Sequence, residues 1–571
     1  MRVVLVGHRG VGKTSLLYRW KDIYAEEGVF YDLDREIELK IGKSISQIFS
    51  TVGEAGFRDL EAETFQKLLK TPAPHLIIAV GAGFELNRIP PTMTVLWIRR
   101  DTDEEGRIFT NRPRLEPLVN PLEEYRRRFE GRELKFRSRA DRVYTVPEGL
   151  QASDPLEESF LLNRPVSLKA LLTLMPRHLR AAPNYQDVQY EIRDDLLSVA
   201  EQEKALSLFP PESLLFSKRT DGPAIPDFVT SRQIALDWDL RQPLPDGVQA
   251  SVVSTHEKNF SQALQILRPY EGTKLHLKLC PLVQDWDDLW KGYEWFQEDP
   301  ANRSFLPRSL DGRWAWFRLR LKGQQRLNFV REDQGSSQDQ PTIWDWLSCP
   351  SPVKNFAAVL GDPIRHSFSP AYHKNFFAKL NMPFLKVRLE KPNWEKAFAI
   401  LERLGLSAAA VTSPLKQEAG SRVGLAALNT LVKTPSGWKG INTDLAGAQA
   451  LLEEFRNESL VVWGGGGVLD SLRASLSQAS FYSAQSGTPR QGASEVSNPR
   501  VLVWAAPDGS LTRIPQGWKP EIVVDLNYRQ NSEGLWFAQQ VGARYVSGLK
   551  MFQVQANEQQ KFWSTFKFTP S

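Results

Sequence analysis

The apolar run MRVVLV breaks at residue 7 into GHRGVGKTS. The spacing G-x-x-x-x-G-K-T directly after a strand-like run demands a strand, a tight glycine turn and a helix that begins at the lysine. That unit belongs to parallel α/β sheets and binds phosphate at their carboxyl edge. Gly7, Gly10 and Gly12 let backbone N–H groups approach phosphate oxygens, Lys13 reaches the terminal phosphates, and Thr14 can ligate Mg²⁺. A nucleotide such as ATP is therefore expected with its magnesium, while the loop says nothing about the acceptor.

At 571 residues the chain exceeds one ordinary core, and ~150 residues per domain gives three or four. Residues 1–165 alternate short apolar strands (MRVVLVG, LIIAVG, TVLWIRR) with helical stretches. From about 170, WAWFRLRL, KLHLKLC and IALDWDL alternate strictly and read as strands with one polar face. From about 352 the strand, helix and glycine-turn pattern returns, and SAQSGTPRQGASEVSN reads as loop. Boundaries are placed at 165/166 and 348/349, where polar, Pro- and Ser-bearing stretches lie.

Several classes fall away. No apolar run approaches the ~20 residues of a membrane span, and MRVVLVG is a strand rather than a signal peptide. Cys280 and Cys349 are the two cysteines, neither a disulfide framework nor a zinc pattern, which fits a cytoplasmic protein. The net charge is +5 with scattered arginines, so small anionic substrates are expected rather than nucleic acid or membrane.

In the first unit, YDLDREIELKIGKSISQIF, GEAGFRDLE and NRPRLEPL follow the loop, and with it they resemble shikimate kinase. The resemblance implies that Asp34 and Arg58 hold the shikimate hydroxyls and carboxylate, and that Asp32 joins Thr14 at the metal. It makes Arg112 the lid arginine over the nucleotide and Arg132 a second substrate arginine. Gly81 and Gly83 stand where the family has a Gly-Gly-Gly turn, with Ala82 between them. A bidentate arginine is physically suited to a carboxylate.

At the other end, GDPIRHSFSPAYHKNF, AAAVTSPLKQEAG, ALNTLVK and GINTDLAG resemble shikimate dehydrogenase in order and spacing. By that resemblance the unit has two lobes, one Rossmann-like. Lys416 and Asp444 are its catalytic pair, and Ser367, Ser369, Thr412, Asn429 and Gln555 contact substrate. Taken alone, the two serines could equally cap a helix at Pro370. A lysine beside a carboxylate can exchange a proton at the alcohol oxygen while hydride moves at the same carbon. VVWGGGGVLDSL supplies Gly464, Gly466 and Gly467 for a pyrophosphate at a helix start. NADP(H) is implied by the family. Its Asn-Arg-Thr block for the 2′-phosphate is not visible, and Ala410 replaces an asparagine; Arg490 is a cation available for that phosphate.

In the middle, VVSTHEKNF and HLKLC resemble the histidine and lysine segments of type I dehydroquinate dehydratase, a (β/α)₈ barrel. His256 then shuttles protons and Lys278 forms a Schiff base with the substrate ketone, since desolvation makes a buried lysine nucleophilic. Glu191, Arg193, Arg219, Arg318, Ser336 and Gln340 are implied as substrate contacts. Asp221-Gly222-Pro223 replaces the family's Glu-Gly-Gly. The unit is short against the ~200 residues or more of such barrels, so reduced helices are expected.

Kinase, dehydratase and dehydrogenase in this order resemble the last three domains of the fungal arom polypeptide. The implied chemistry takes 3-dehydroquinate to 3-dehydroshikimate, shikimate and shikimate 3-phosphate; a homodimer is left open. Two alternatives stand beside it: a metabolite-sensing regulator resembling the quinate repressor, and a bifunctional enzyme with one silent domain.

Overall fold

The computed structural model describes residues 1–100, 121–146, 155–222, 224–364, 367–465, 472–473, 476, 479–490, 493, 495–506, 510–527 and 532–568. Two compact units emerge, Met1–Glu104 with Arg126–Val353, and a second that contains Lys354–Ser571. Among the described residues no helix is long and apolar enough to cross a membrane.

The first unit holds two sheets. One contains β1 (Arg2–Val6), β2 (Val29–Asp32), β3 (Leu76–Ala79), β4 (Thr94–Arg99) and β5 (Arg142–Thr145), all parallel, in the order β2-β3-β1-β4-β5. Val3, Val4, Leu5 and Val6 of β1 are almost wholly buried, as a central parallel strand covered on both faces requires. Its carboxyl end feeds the glycine loop and the helix Lys13–Ile23. A helix over Ile45–Leu68 starts at a Ser44/Gln47 capping box and is broken at Gly53, whose φ is 71°. The break lets the following turns carry Arg58 and Glu61 toward the sheet's carboxyl edge.

The other sheet contains β6 (Val166–Thr173), β7 (Tyr185–Arg193), β8 (Leu214–Lys218), β9 (Ala235–Asp239), β10 (Val252–Thr255), β11 (His276–Leu279), β12 (Arg303–Phe305) and β13 (Phe329–Val330). Each strand pairs in parallel with its predecessor up to β12, and β13 returns to pair with β6. Side chains span the remaining seam: Leu327 N donates to Ser304 Oγ at 3.2 Å and Phe305 N to Gln325 Oε1 at 3.1 Å. Covering helices are reduced. Only a 3-10 turn at Pro176–Leu179 lies between β6 and β7, and β9 runs to β10 without a helix.

One expected strand is a helix. WAWFRLRL forms Ala315–Arg320 with its neighbours, and Trp314, Phe317 and Leu321 are all buried. Aromatic residues occupy both parities of this run, so a helical face through 314, 317 and 321 buries more apolar surface than either strand face could. KLHLKLC does contain a strand, but His276 and Lys278 are as buried as Leu277 and Leu279. Its polar face points into the sheet's interior rather than to water.

The second unit also holds two sheets. β14 (Phe356–Gly361), β15 (Phe384–Arg388), β16 (Leu406–Val411), β17 (Thr430–Thr434) and β18 (Gly437–Ile441) run in the order β15-β14-β16-β17-β18, the last three antiparallel. β19 (Leu460–Gly464), β20 (Ser480–Tyr482), β21 (Val501–Ala505), β22 (Ile522–Asp525) and β23 (Arg544–Ser547) form a parallel sheet, β20-β19-β21-β22-β23. The helix Leu549–Ser564 returns to the first of these sheets, where the buried Trp563 donates its indole N–H to Leu431 O at 3.0 Å.

Candidate functional site

At the end of β1, Gly7, Gly10 and Gly12 adopt φ of 149°, 89° and 93°. A Cβ on Gly7 would lie 2.5 Å from Ile98 O, so this tight turn excludes any side chain. Lys13 Nζ donates to Gly7 O at 2.9 Å and His8 O at 3.0 Å, and Thr14 Oγ1 donates to Asp32 Oδ2 at 2.7 Å. The helix Lys13–Ile23 has no side-chain cap, so its leading N–H groups are available to an anion. These residues fit a nucleotide. Thr14 and Asp32 fit a magnesium that takes its other oxygens from phosphate and water. Among the described residues no cluster of three or more His, Cys, Asp or Glu could hold a metal by itself.

Asp34, Arg58, Gly81 and Gly83 come together beside this loop. A Cβ on Gly81 would approach Asp34 Oδ1 and Glu61 Oε1 at 3.4 Å, and one on Gly83 would lie 2.5 Å from Arg58 Nη2. The glycines thus leave room for the charged groups. Glu61, which the sequence reading missed, accepts from Arg58 Nη1 at 2.7 Å; its i,i+3 spacing from Arg58 on a helix was the available signal. Burial, then the neighbouring Asp32, raises the Asp34 carboxyl above its ordinary value. Burial holds His8 below its usual value against the opposing Glu133, and Arg132 lies near enough to the loop to add to this with Lys13. Arg112 lies outside the described residues.

The interior of the eight-stranded sheet encloses a cavity of ≈ 240 Å³ lined by every middle-unit residue that the sequence singled out. Lys278 Nζ donates to Asp237 Oδ2 at 2.7 Å, and Arg219 pairs with the same carboxylate. Burial would raise Asp237, but Arg219 and Lys278 outweigh it and hold the carboxyl far below its usual range. His256 Nδ1 lies 3.1 Å from Asp239 Oδ2. Burial, followed by Arg219, lowers His256 to about 3, so the ring is neutral at physiological pH. Glu191 accepts from Thr173 at 2.6 Å and Ser217 at 2.7 Å. Arg193 is engaged bidentately by Asp195, and Arg318 donates to the carbonyls of Leu306 and Pro307. Ser336 and Gln340 hydrogen-bond each other at the rim. Asp237 and Asp239 went unnamed in the sequence, although alternation in IALDWDL gives them one parity.

In the second unit a cavity of ≈ 280 Å³ is lined by Ser367, Ser369, Thr412, Lys416, Asn429, Asp444 and Gln555. Lys416 Nζ donates to Asp444 Oδ2 at 2.7 Å, while Asn429 Nδ2 and Gln555 Nε2 donate to Asp444 Oδ1 at 3.0 and 2.8 Å. Asp444 opens the helix Asp444–Leu452, where a carboxylate is favoured by the helix dipole. Asn527 and Gln559 are further lining residues that sequence reasoning passed over. Gly464 and Gly465 take φ of 96° and 116° at the end of β19, and Arg490 Nη2 donates to Gly464 O at 3.4 Å. A glycine turn with a cation beside it fits a phosphorylated dinucleotide. Gly466 and Gly467 lie outside the described residues.

Two family descriptions match the chain: shikimate kinase over residues 9–149 and the shikimate dehydrogenase substrate binding domain over residues 359–430. A shikimate kinase of Streptococcus thermophilus is 32% identical over 163 residues, covering 26% of this chain and 91% of that protein. The chain belongs to the shikimate kinase family. A shikimate dehydrogenase (NADP(+)) of Methanococcoides burtonii is 26% identical over 253 residues, 37% of this chain and 93% of that protein. Another, from Methanosarcina acetivorans, is 38% identical over 133 residues; that match spans 20% of this chain and about half (47%) of the relative. Among solved structures, shikimate dehydrogenase of Aquifex aeolicus is 23% identical, covering 38% of this chain and 95% of that one with a TM-score of 0.31. By the family matches the chain joins a kinase domain to a dehydrogenase domain, and the parallel sheet β20-β19-β21-β22-β23 gives the latter a Rossmann-like lobe.

Proposed function

We propose that the chain is a trifunctional enzyme with catalytic units at 1–165, 166–348 and 349–571, converting 3-dehydroquinate through 3-dehydroshikimate and shikimate to shikimate 3-phosphate. One observation carries the reading: relatives of the two ends bear the name of one metabolite, shikimate, so the ends serve consecutive steps. The middle cavity supports the step before them, because a buried lysine, a neutral histidine and several arginines converge in it.

In the middle unit, the Lys278 amine adds to the ketone with loss of water to give an iminium. His256 accepts the proton from the adjacent carbon, and the neighbouring hydroxyl leaves as water with a proton returned by His256. Water then hydrolyses the iminium, releasing dehydroshikimate and the free amine. Arg219, Arg193 and Arg318 supply positive charge for the carboxylate, and Ser336 and Gln340 bind hydroxyls.

When bound, NADPH supplies hydride to the second unit and ATP the phosphoryl group to the first. Lys416 gives a proton to the oxygen of the reduced ketone, and Asp444, oriented by Asn429 and Gln555, keeps Lys416 aimed at it. Ser367, Ser369 and Thr412 bind the acid. In the kinase, Arg58 holds the carboxylate, Asp34 accepts from a ring hydroxyl, and Lys13 with the loop N–H groups neutralises charge on the transferring phosphoryl.

The test is to incubate the purified protein with 3-dehydroquinate, NADPH and Mg-ATP and follow intermediates by mass spectrometry. Shikimate 3-phosphate is the expected product. Failure to convert dehydroquinate, with conversion of dehydroshikimate, would leave the two-activity reading. Failure with every substrate would favour the metabolite sensor.

A further inference from the structure

The loop that closes the middle cavity is fastened to the kinase sheet. It follows β13 directly, and its second and third residues, Glu332 and Asp333, are both 5% exposed. Arg142 of β5 donates through Nε to Glu332 Oε1 at 2.7 Å and through Nη2 to Tyr185 Oη at 2.6 Å. Tyr185 donates to the same carboxylate at 3.2 Å, and His178 Nε2 lies 3.3 Å from its other oxygen. Arg99 of β4 donates to Asp333 Oδ1 at 2.6 Å, while Arg137 lies 3.4 Å from Oδ2.

From these anchors the chain runs a short way to the rim. Arg331 braces the span from within, donating to Gln340 O at 2.8 Å and to Asp333 O. A Cβ on Gly335 would sit 1.9 Å from Gln340 Oε1, so the side chain of Gln340 is packed against bare backbone. Its amide then bridges Ser336 Oγ at 2.9 Å and Thr173 Oγ1 at 3.4 Å, next to Glu191. With so little slack between residues 333 and 336, the position of the two acids sets that of the rim.

We propose that Arg99 and Arg142 of the kinase are positioning residues for the middle cavity: they fix Glu332 and Asp333, and thereby set Ser336 and Gln340 against the ligand. Buried ion pairs are best attested as devices of register, and this pair registers one domain's loop against another domain's sheet. The proposal rests on the dehydratase reading for the nature of the ligand, though not for the geometry.

The variants are Arg99→Met, its conservative counterpart Arg99→Lys, and Asp333→Asn, all in the full chain; Arg142, more deeply buried, is left intact so that folding is kept. Two measurements are made. Hydrogen exchange at the amides of residues 334–340 is expected to quicken about tenfold or more in Arg99→Met and Asp333→Asn, and to be largely restored in Arg99→Lys. The KM for 3-dehydroquinate is expected to rise about tenfold with kcat changed by less than about threefold, because ground-state positioning is lost while the Lys278 chemistry remains. Reduction of dehydroshikimate serves as the unchanged control. Combining Arg99→Met with Asp333→Asn is expected to give less than the sum of the two, since they share the Arg99–Asp333 contact while Arg99 also meets Glu133 and Asp333 also meets Arg137. Unaltered exchange in the rim of either folded variant would overturn the proposal, as would unaltered KM in an active one. If the wild type neither turns over dehydroquinate nor yields a borohydride-trapped adduct on Lys278, the dehydratase reading fails, and exchange alone decides the positioning.

Discussion

The two cavities contain the same pair in different company. Lys278 and Lys416 each hold an aspartate oxygen at 2.7 Å. In the middle unit, Asp237 is shared between Lys278 of β11 and Arg219 just past the end of β8, with both partners of the lysine pair almost wholly buried. In the dehydrogenase unit the other partners of Asp444 are neutral amides, and Lys416 keeps 16% of its side chain exposed. In the proposed dehydration a second cation would free Lys278 from its carboxylate for a ketone, because Asp237 stays compensated by Arg219. Amide donors instead fix Asp444 as an acceptor and, among the described residues, leave Lys416 as the cation paired with it, which suits proton transfer without covalent bonding. The ion-pair distance is the same in both; the neighbours decide the chemistry.

The largest effect that can break this comparison is Lys278→Ala. Dehydration is expected to fall by at least ~10³-fold with loss of the borohydride-trapped adduct, while phosphorylation and reduction persist. Because Arg219 still compensates Asp237, the variant is expected to fold; circular dichroism checks this. Next, Asp444→Asn is expected to lower reduction by ~10²-fold or more, read as kcat with NADPH, with no effect on the other two activities. Equal losses of every activity from either change would defeat the separation of sites.

A smaller effect belongs to Gly83→Ala in the kinase. The new Cβ displaces Arg58, whose guanidinium can swing, so KM for shikimate is expected to rise about tenfold with little loss of stability. The smallest concerns pH. Burial lifts Asp525 to about 6 against the opposing hydrogen bonds from Ser532, Asn527 and Tyr545. Its folded value lies above the unfolded one, so the native state binds more protons between pH ~4 and ~6. The contribution is complete below the unfolded value and is lost as pH rises through the folded one. Stability of the second unit is therefore expected to drop by up to about 3 kcal/mol across that window. Asp525→Asn should flatten the dependence in urea melts.

Local chemistry was legible where a motif acts within a few residues of itself. The loop Gly7–Thr14 needed one strand and one helix to be read, while Asp32 and Asp34 were reached through a resemblance. Lys416 and Asp444 were reached through a resemblance, and Lys278 through parity on a strand together with one. WAWFRLRL misled because period-2 alternation of aromatics also satisfies a helix when both parities are large and apolar. Glu61, Asp237 and Asp239 were missed because their meaning is a partner's charge, which appears only on folding. Glu332 and Asp333 were more remote still, since Arg142 and Glu332 are separated by 190 residues and no pattern in either segment points to the other.

That separation is also a delay. At synthesis rates of ~5–20 residues per second, Arg142 emerges about 10–40 s before Glu332. During this interval the kinase sheet has all its strands, and Arg99 and Arg137 have Glu133 as their carboxylate. The strands of the second sheet accumulate while Glu332 and Asp333, the remaining carboxylates for Arg142 and Arg99, have not been made. The last pair of acids then arrives almost together with the strand that completes the ring. Assembly of the first unit thus has a timed final step: links such as Arg180 to Asp141 and Ala140 join the two sheets early, and the last pair of acids adds the cavity rim to them.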